Sequence, residues 1–382
     1  MKKDHAKNTS LQVSTSYILG VIVFSRLCFW GLAQIKGMPF LDSMCRWDCG
    51  WYNQIATYGY DLEPHHNFKQ DAANWAFFPL FPILLAIAHK LTMLPYKIAG
   101  LLLTNLCMFF AIKLSLKYLR QTRPKVAEHF WVWFCTTGPY AFYFTNGYSE
   151  ALFWFLGCAA LVFWNQKKYF QAGALTALLC ATRLFGLFWS IAYVTDLWKR
   201  RNEISLIKRL GNPSLVLGLC LSPLGLILFI FYLYFHMGDG LAFSHIQIAW
   251  GRSIDTAIPE WLLALKEWND FSFLFSEIPK SRYSHAYFNL FIILGLILTI
   301  FCCTQKRILE STIACLSFLT ALLAGVMSLP RFLVGTPIFA FALHDMVVRY
   351  FSKNVQAFLI GFFFLINLWL LNNWYDVAFF LV

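Results

Sequence analysis

Apolar runs of about twenty residues recur along nearly the whole chain, from "SYILGVIVFSRLCFWGLAQI" near the start to "VQAFLIGFFFLINLWLL" near the end. A helix rises about 1.5 Å per residue, so about twenty apolar residues cross the roughly 30 Å hydrocarbon layer of a bilayer. Backbone amides in lipid must be satisfied internally, which leaves only helices and closed barrels. A barrel would show alternating segments of about ten residues, and that pattern is absent from the sequence. Of the 382 residues, 59% are hydrophobic and only 13% charged, and no polar stretch is long enough to hold a soluble core. The expectation is an all-α polytopic membrane protein forming one integral domain over residues 1–382.

A net charge of +12 would suggest nucleic acid in a soluble protein. Here the basic residues cluster in short loops at helix ends, where they report topology, so no nucleic acid partner is expected. Lys2, Lys3 and Lys7, the 117–125 patch, Lys167–Lys168, Lys199–Arg209, Lys306–Arg307 and Arg349–Lys353 are expected to face the cytoplasm. Two long polar loops, 36–74 and 236–284, then fall on the outer side, as does the C-terminus. The N-terminus reads as a cytoplasmic tail before a retained first helix. The run "WAFFPLFPILLAIAHKL" is short, holds Pro79 and Pro82, and is expected not to span simply. A span is expected over Phe130–Phe144. The run from Phe170 to Leu197 is too long for one span and carries Arg183 at its middle, so it predicts two short helices meeting near the outer surface.

There are eleven cysteines, most of them inside apolar runs, where they act as small hydrophobes. Cys45 and Cys49 lie four apart. Helical spacing of that kind does not favour a disulfide, and both are expected to be unpaired.

The stretch "CRWDCGWYNQIATYGYD" places one acid, Asp48, among aromatic residues just after the first span. Trp47, Trp51, Ile55 and Tyr58 fall on one helical face, and Gly59 can end the helix. An interfacial helix would hold Asp48 at a fixed height above the bilayer. Glu150 in "NGYSEALF", Arg183 in "CATRLFGLF", Arg252 in "IQIAWGRS" and Arg331 in "SLPRFLVGTP" are placed at the same outer face. Charges at membrane depth are costly and usually pair or serve function. Arginine forks suit a phosphate, a lone carboxylate beside it suits a general base, and rings beside both suit a sugar. Asp48 is therefore the candidate catalytic residue, and Arg183, Arg331 and Arg252 are candidates for a donor phosphate. Trp47, Trp51, Tyr52, Tyr148 and Glu150 are candidate substrate contacts. Together they suggest transfer of a group from a lipid phosphate to a hydroxyl.

The segments "RWDCGWYNQIATYGY", "NWAFFPLFPILL", "GPYAFYFTNGYSEALFWF" and "CATRLFGL", in this order, resemble the PIG-V-type glycosylphosphatidylinositol mannosyltransferases and their bacterial relatives. The tracts "AFSHIQIAWGRS" and "SLPRFLVGTPIF" resemble the bacterial branch. This resemblance implies a GT-C-like bundle of about ten to twelve transmembrane helices, with interfacial helices in a long first external loop. It also implies a glycosyltransferase taking a sugar, often mannose, from a polyprenyl-phosphate donor to a lipid or glycan acceptor at the periplasmic face of a bacterial inner membrane. The family carries an acid in its first external loop, and Asp48 holds the matching position. Gly50, Trp51 and Tyr52 stand where eukaryotic members carry a histidine, and the insert Asp61–Ala73 is longer than theirs. These departures leave the acceptor open, and because the sequence resembles the bacterial branch a glycosylphosphatidylinositol acceptor is not expected. No metal ligand set is assigned, although Asp48 with His65, His66 or Asp71 could hold a divalent ion. A flippase or transporter of lipid-linked sugars is the alternative. It would need charges along a path through the whole bilayer, whereas the polar residues gather near one face.

Overall fold

The computed structural model describes residues 12–64, 71–202, 211–252, 262, 266, 285–326 and 328–377. Among these residues the chain forms helices and no β-strand. Five segments are long and apolar enough to cross a membrane: α1 (Thr15–Ile35), α5 (Tyr96–Thr122), the segment Pro213–Met237, α13 (His285–Thr304) and α17 (Lys353–Tyr375). The segment Pro213–Met237 is divided at Ser222–Pro223 into α10 (Pro213–Leu221) and α11 (Leu224–Met237). A sixth candidate is α15 (Leu329–Gly335) with α16 (Pro337–Tyr350), bent by 76°. Shorter apolar helices fill in between them: α4 (Leu80–Thr92), α7 (Glu150–Asn165), α8 (Tyr169–Cys180) and α14 (Ile308–Leu323). The chain is an integral, multi-pass membrane protein. Its outer helices show why: Val23 and Leu27 on α1 and Phe358 and Leu365 on α17 are left uncovered by protein, as lipid-facing residues must be.

Breaks fall where the backbone chemistry demands them. The run after Arg123 does not form the full span expected over Phe130–Phe144. Helix α6 (Glu128–Thr137) stops at Gly138, because Pro139 supplies no amide and disfavours helix in the residue before it. A short 3-10 turn, Ala141–Phe144, follows. The run containing Arg183 forms two short helices, α8 and α9 (Leu187–Lys199), joined through an extended Arg183. At the α15–α16 bend, the Trp154 indole on α7 donates to the Val334 carbonyl at 3.0 Å. A carbonyl beside the broken helix is thereby satisfied without water.

The core lies between α5, α6, α7, α14 and α16. Trp131 stacks on Trp154 and on Phe341 at centroid distances of 6.1 and 5.3 Å, and its indole donates to Ser115 Oγ at 2.7 Å. One end of the bundle is closed by a buried ion network. Arg123 grips Glu310 through two nitrogens, each at 2.6 Å, and also reaches Asp345 at 3.1 Å. Arg307 pairs with Asp345 at 2.5 Å, and Tyr118 donates to Glu310 at 2.8 Å. The 117–125 patch and the Lys306–Arg307 turn therefore share one end of the molecule. Helix α4 is only 13 residues long, and it need not cross the bilayer to bring them there.

Candidate functional site

At the opposite end, the first long loop folds into two short helices, α2 (Phe40–Met44) and α3 (Asp48–Tyr58). Helix α3 ends at Gly59, whose φ of +83° an L residue rarely adopts. Asp48 opens the helix. Trp47 before it has φ +49° and ψ −114°, a left-handed backbone that costs a bulky residue about 1–3 kcal/mol. The expectation of unpaired cysteines is corrected at this corner: Cys45 and Cys49 form a disulfide, with Cα atoms 5.2 Å apart. The reason is local. Cys45 lies after α2 and Cys49 in α3, so the pair bridges a sharp turn and not one helical face.

Asp48 ends a chain of charges drawn from three distant elements. Arg331 on α15 forms an ion pair through Nη1 with Asp48 Oδ2 at 2.5 Å and donates through Nε to Glu150 Oε1. Glu150, at the start of α7, also receives Arg183 Nη1 at 3.2 Å. The result is a chain, Asp48–Arg331–Glu150–Arg183, in which acids and cations alternate. Gly335 leaves room for it: a Cβ there would sit 3.1 Å from Arg183 Nη1 and 3.4 Å from Glu150 Cγ. Arg331 lies over the Tyr148 ring at 4.5 Å, and the Tyr148 hydroxyl donates to the Arg46 carbonyl at 3.0 Å while lying 3.3 Å from the Asp48 amide. Tyr52, one helical turn after Asp48, donates to Ser149 Oγ at 2.9 Å.

These residues line or back a cavity of about 520 Å³. Asp48, Tyr52, Arg183, Arg252 and Arg331 are on its wall. Arg252 follows α12 (Ala242–His245) and a 3-10 turn, Ile246–Trp250, and is held by Gln247 Oε1 at 3.0 Å and Ser328 Oγ at 2.7 Å. Among the described residues it has no carboxylate partner, unlike Arg183 and Arg331. Burial lowers its pKa to about 10, so it still carries its charge at neutral pH. Arg183 and Arg252 both lie near the face of Phe332, at 5.7 and 5.8 Å. Asp48 and Glu150 offset two of the three arginines, and Arg252 leaves the cavity a net positive charge that favours an anion.

Glu150 and Tyr148 stand behind Arg331, not on the wall. Trp47 packs against the buried cluster around Tyr143 and Trp374. Trp51 stacks on Phe77, 5.8 Å away, and Phe77 lines the cavity. Phe332, Trp250, Gln247 and Ser328 escaped the sequence reading. The signal that could have pointed to them is nearness in sequence: Gln247 and Trp250 lie close to Arg252, and Ser328 and Phe332 to Arg331. Among the described residues no group of three or more His, Cys, Asp or Glu could hold a metal ion. Asp71 is exposed, while His65 and His66, like much of the 236–284 loop, lie outside the described residues.

A second, almost wholly apolar cavity of about 590 Å³ lies between α3, α4, α8 and α11, lined by Ile55, Pro82, Ile83, Leu228 and Tyr232 among others. The two cavities adjoin: Phe78 lines the first, Phe229 the second, and their rings are 4.9 Å apart.

No family model matches the chain. It is 30% identical over 203 residues to GPI alpha-1,6-mannosyltransferase 2 of Cricetulus griseus, which is 48% of this chain and 38% of that protein. Against the Rattus norvegicus protein of the same name it is 30% identical over 243 residues, 59% of this chain and 45% of that one. The chain thus spans less than half the length of the curated relatives it matches. Among solved structures it aligns with ArnT from Cupriavidus metallidurans bound to undecaprenyl phosphate, over 96% of this chain and 77% of that one. The identity there is 13% and the TM-score 0.44.

Proposed function

We propose that this chain is a GT-C-type glycosyltransferase that moves a sugar, mannose, from a polyprenyl-phosphate donor to a hydroxyl of a lipid or glycan acceptor. The reaction takes place at the outer face of a bacterial inner membrane. One observation carries the reading: a single carboxylate and three arginines, drawn from four separate elements, line one cavity beside an apolar groove. The likeness to the two mannosyltransferases supports the sugar.

Arg252 and Arg183 hold the donor phosphate, and the isoprenoid chain lies in the apolar groove. The acceptor hydroxyl reaches Asp48, whose Oδ2 is tied to Arg331 and whose Oδ1 makes no hydrogen bond among the described residues. Asp48 takes the hydroxyl proton as that oxygen bonds to the anomeric carbon. The bond from that carbon to the phosphate oxygen breaks, and its electron pair leaves with the phosphate. Fixed guanidinium groups stabilise the growing charge there. Arg331, engaged by two carboxylates, orients Asp48.

Purified protein in detergent, given radiolabelled polyprenyl-phosphate mannose and a series of lipid and glycan acceptors, tests the reading. Release of free polyprenyl phosphate that depends on an acceptor is the expected result. Donor that stays intact with every acceptor, or moves intact between liposome leaflets, refutes it.

A further inference from the structure

We propose that the Cys45–Cys49 disulfide is a positioning device for Asp48, an inference that rests on Asp48 being the base. The bond closes a ring around Arg46, Trp47 and Asp48 and ties the residue after α2 to the first turn of α3. Within that ring Trp47 is held at φ +49°, a conformation that an open chain would leave. The disulfide is also clamped from outside. Asn53 Nδ2 donates to Cys45 Sγ at 3.4 Å, and a Cβ on Gly147 would stand only 3.0 Å from Cys49 Sγ. Gly147 immediately precedes Tyr148, which sits between the Arg46 carbonyl and the Asp48 amide. The sulfur pair is therefore wedged between the acid and the segment that carries Glu150. The carboxylate that must meet Arg331 is fixed by one covalent and two hydrogen-bonded restraints.

The other nine described cysteines are free. Disulfides persist in oxidising compartments, so a single one at this end agrees with a site facing outward.

Dithiothreitol supplies two electrons and two protons, converting the Sγ–Sγ bond to two thiols while it closes to its own cyclic disulfide. The Arg46–Asp48 turn then relaxes, and Asp48 leaves its place on Arg331. The donor phosphate and groove contacts do not involve this turn. Reduction therefore lowers kcat and spares the donor KM, whereas general loosening of the protein would alter both. A displacement of about 1 Å at a reacting group can cost on the order of 10²-fold in rate.

The test uses the full-length enzyme in detergent with polyprenyl-phosphate mannose and the acceptor that supports turnover. Peptide mass spectrometry after alkylation should find Cys45 and Cys49 joined in untreated enzyme and alkylated after dithiothreitol. The reduced enzyme should lose at least about tenfold in kcat with donor KM within about twofold, and oxidised glutathione should restore the rate. A Cys45→Ser/Cys49→Ser variant should show the same low kcat and ignore the reductant. Both cysteines free in active enzyme, or a double variant with wild-type kcat, overturns the proposal. If that variant fails to fold, amide hydrogen exchange over residues 46–52 of wild type decides. Faster exchange on reduction supports the proposal, and unchanged exchange overturns it. Asp48→Asn separates the two readings. If its residual rate is low and indifferent to dithiothreitol, the disulfide acts through Asp48. If Asp48→Asn keeps full activity, the base assignment fails, while the alkylation and exchange results still stand.

Discussion

Replacing Arg331 by lysine separates orienting an acid from binding a phosphate. Arg331 reaches two carboxylates through two different nitrogens, Nη1 to Asp48 and Nε to Glu150. Its side chain is only 6% exposed, and that of Glu150 1%, so water cannot replace a lost contact cheaply. Lysine keeps the charge but presents one nitrogen, which can serve only one of the two carboxylates at a time. Losing one charge-assisted hydrogen bond costs about 1.5–3 kcal/mol, and each 1.36 kcal/mol is tenfold in rate, so Arg331→Lys should lower turnover roughly ten- to 150-fold. In the proposed mechanism the residue orients Asp48 and does not grip the donor, so the loss should appear in kcat, with donor KM nearly unchanged. The assay is steady-state release of polyprenyl phosphate over a range of donor concentrations, with melting in detergent followed in parallel. Turnover within about twofold of wild type would refute the argument from geometry. A rise in KM with kcat intact would instead assign Arg331 to the phosphate.

Asp48→Asn keeps the shape of the side chain and removes its basicity, so turnover should fall by about two orders of magnitude or more with little change in melting. Arg252 has no carboxylate partner among the described residues, so Arg252→Gln strands no acid; donor KM should rise about tenfold or more with melting unaffected. Glu310→Gln leaves the buried Arg123 with only part of its counter-charge and should destabilise the protein by about 3–5 kcal/mol, read by denaturant titration, while kcat of the folded fraction is unchanged. For topology, the nine free cysteines are removed and the Cys45–Cys49 pair kept. A single cysteine placed at Asn67 should then react with an impermeant thiol reagent outside intact cells and one at Asn202 should not; the reverse pattern would invert the orientation.

Much of the architecture was legible in the sequence because the bilayer is an exacting solvent. It fixes how long an apolar run must be and forbids open backbone. Hence the long spans, the short helix after Pro79 and the two helices meeting at Arg183 could be read from length, proline and charge alone. The span expected over Phe130–Phe144 was misread because hydropathy weighs side chains and not amides, and it is the missing amide of Pro139 that ends α6 there. The stretch from Asp48 to Tyr58 was legible as a helix because its periodicity is local, but Trp47, expected on the same helical face, stands before the helix at φ +49°.

Which charges meet was not legible. Arg331 and Glu150 are 181 residues apart, and nothing in their spacing distinguishes a partner from a ligand. Sequence could place Asp48, Glu150, Arg183, Arg252 and Arg331 near one face. Only the packing of α3, α7 and α15 decided that Arg331 is shared between two acids while Arg252 is left facing the cavity without one. The disulfide belongs to the same class. Four residues of separation on one helix would keep Cys45 and Cys49 apart, and the turn between α2 and α3 brings them together. The bilayer sets what each segment is from its own residues; pairing energies depend on distances between segments, and those distances exist only once the helices have packed.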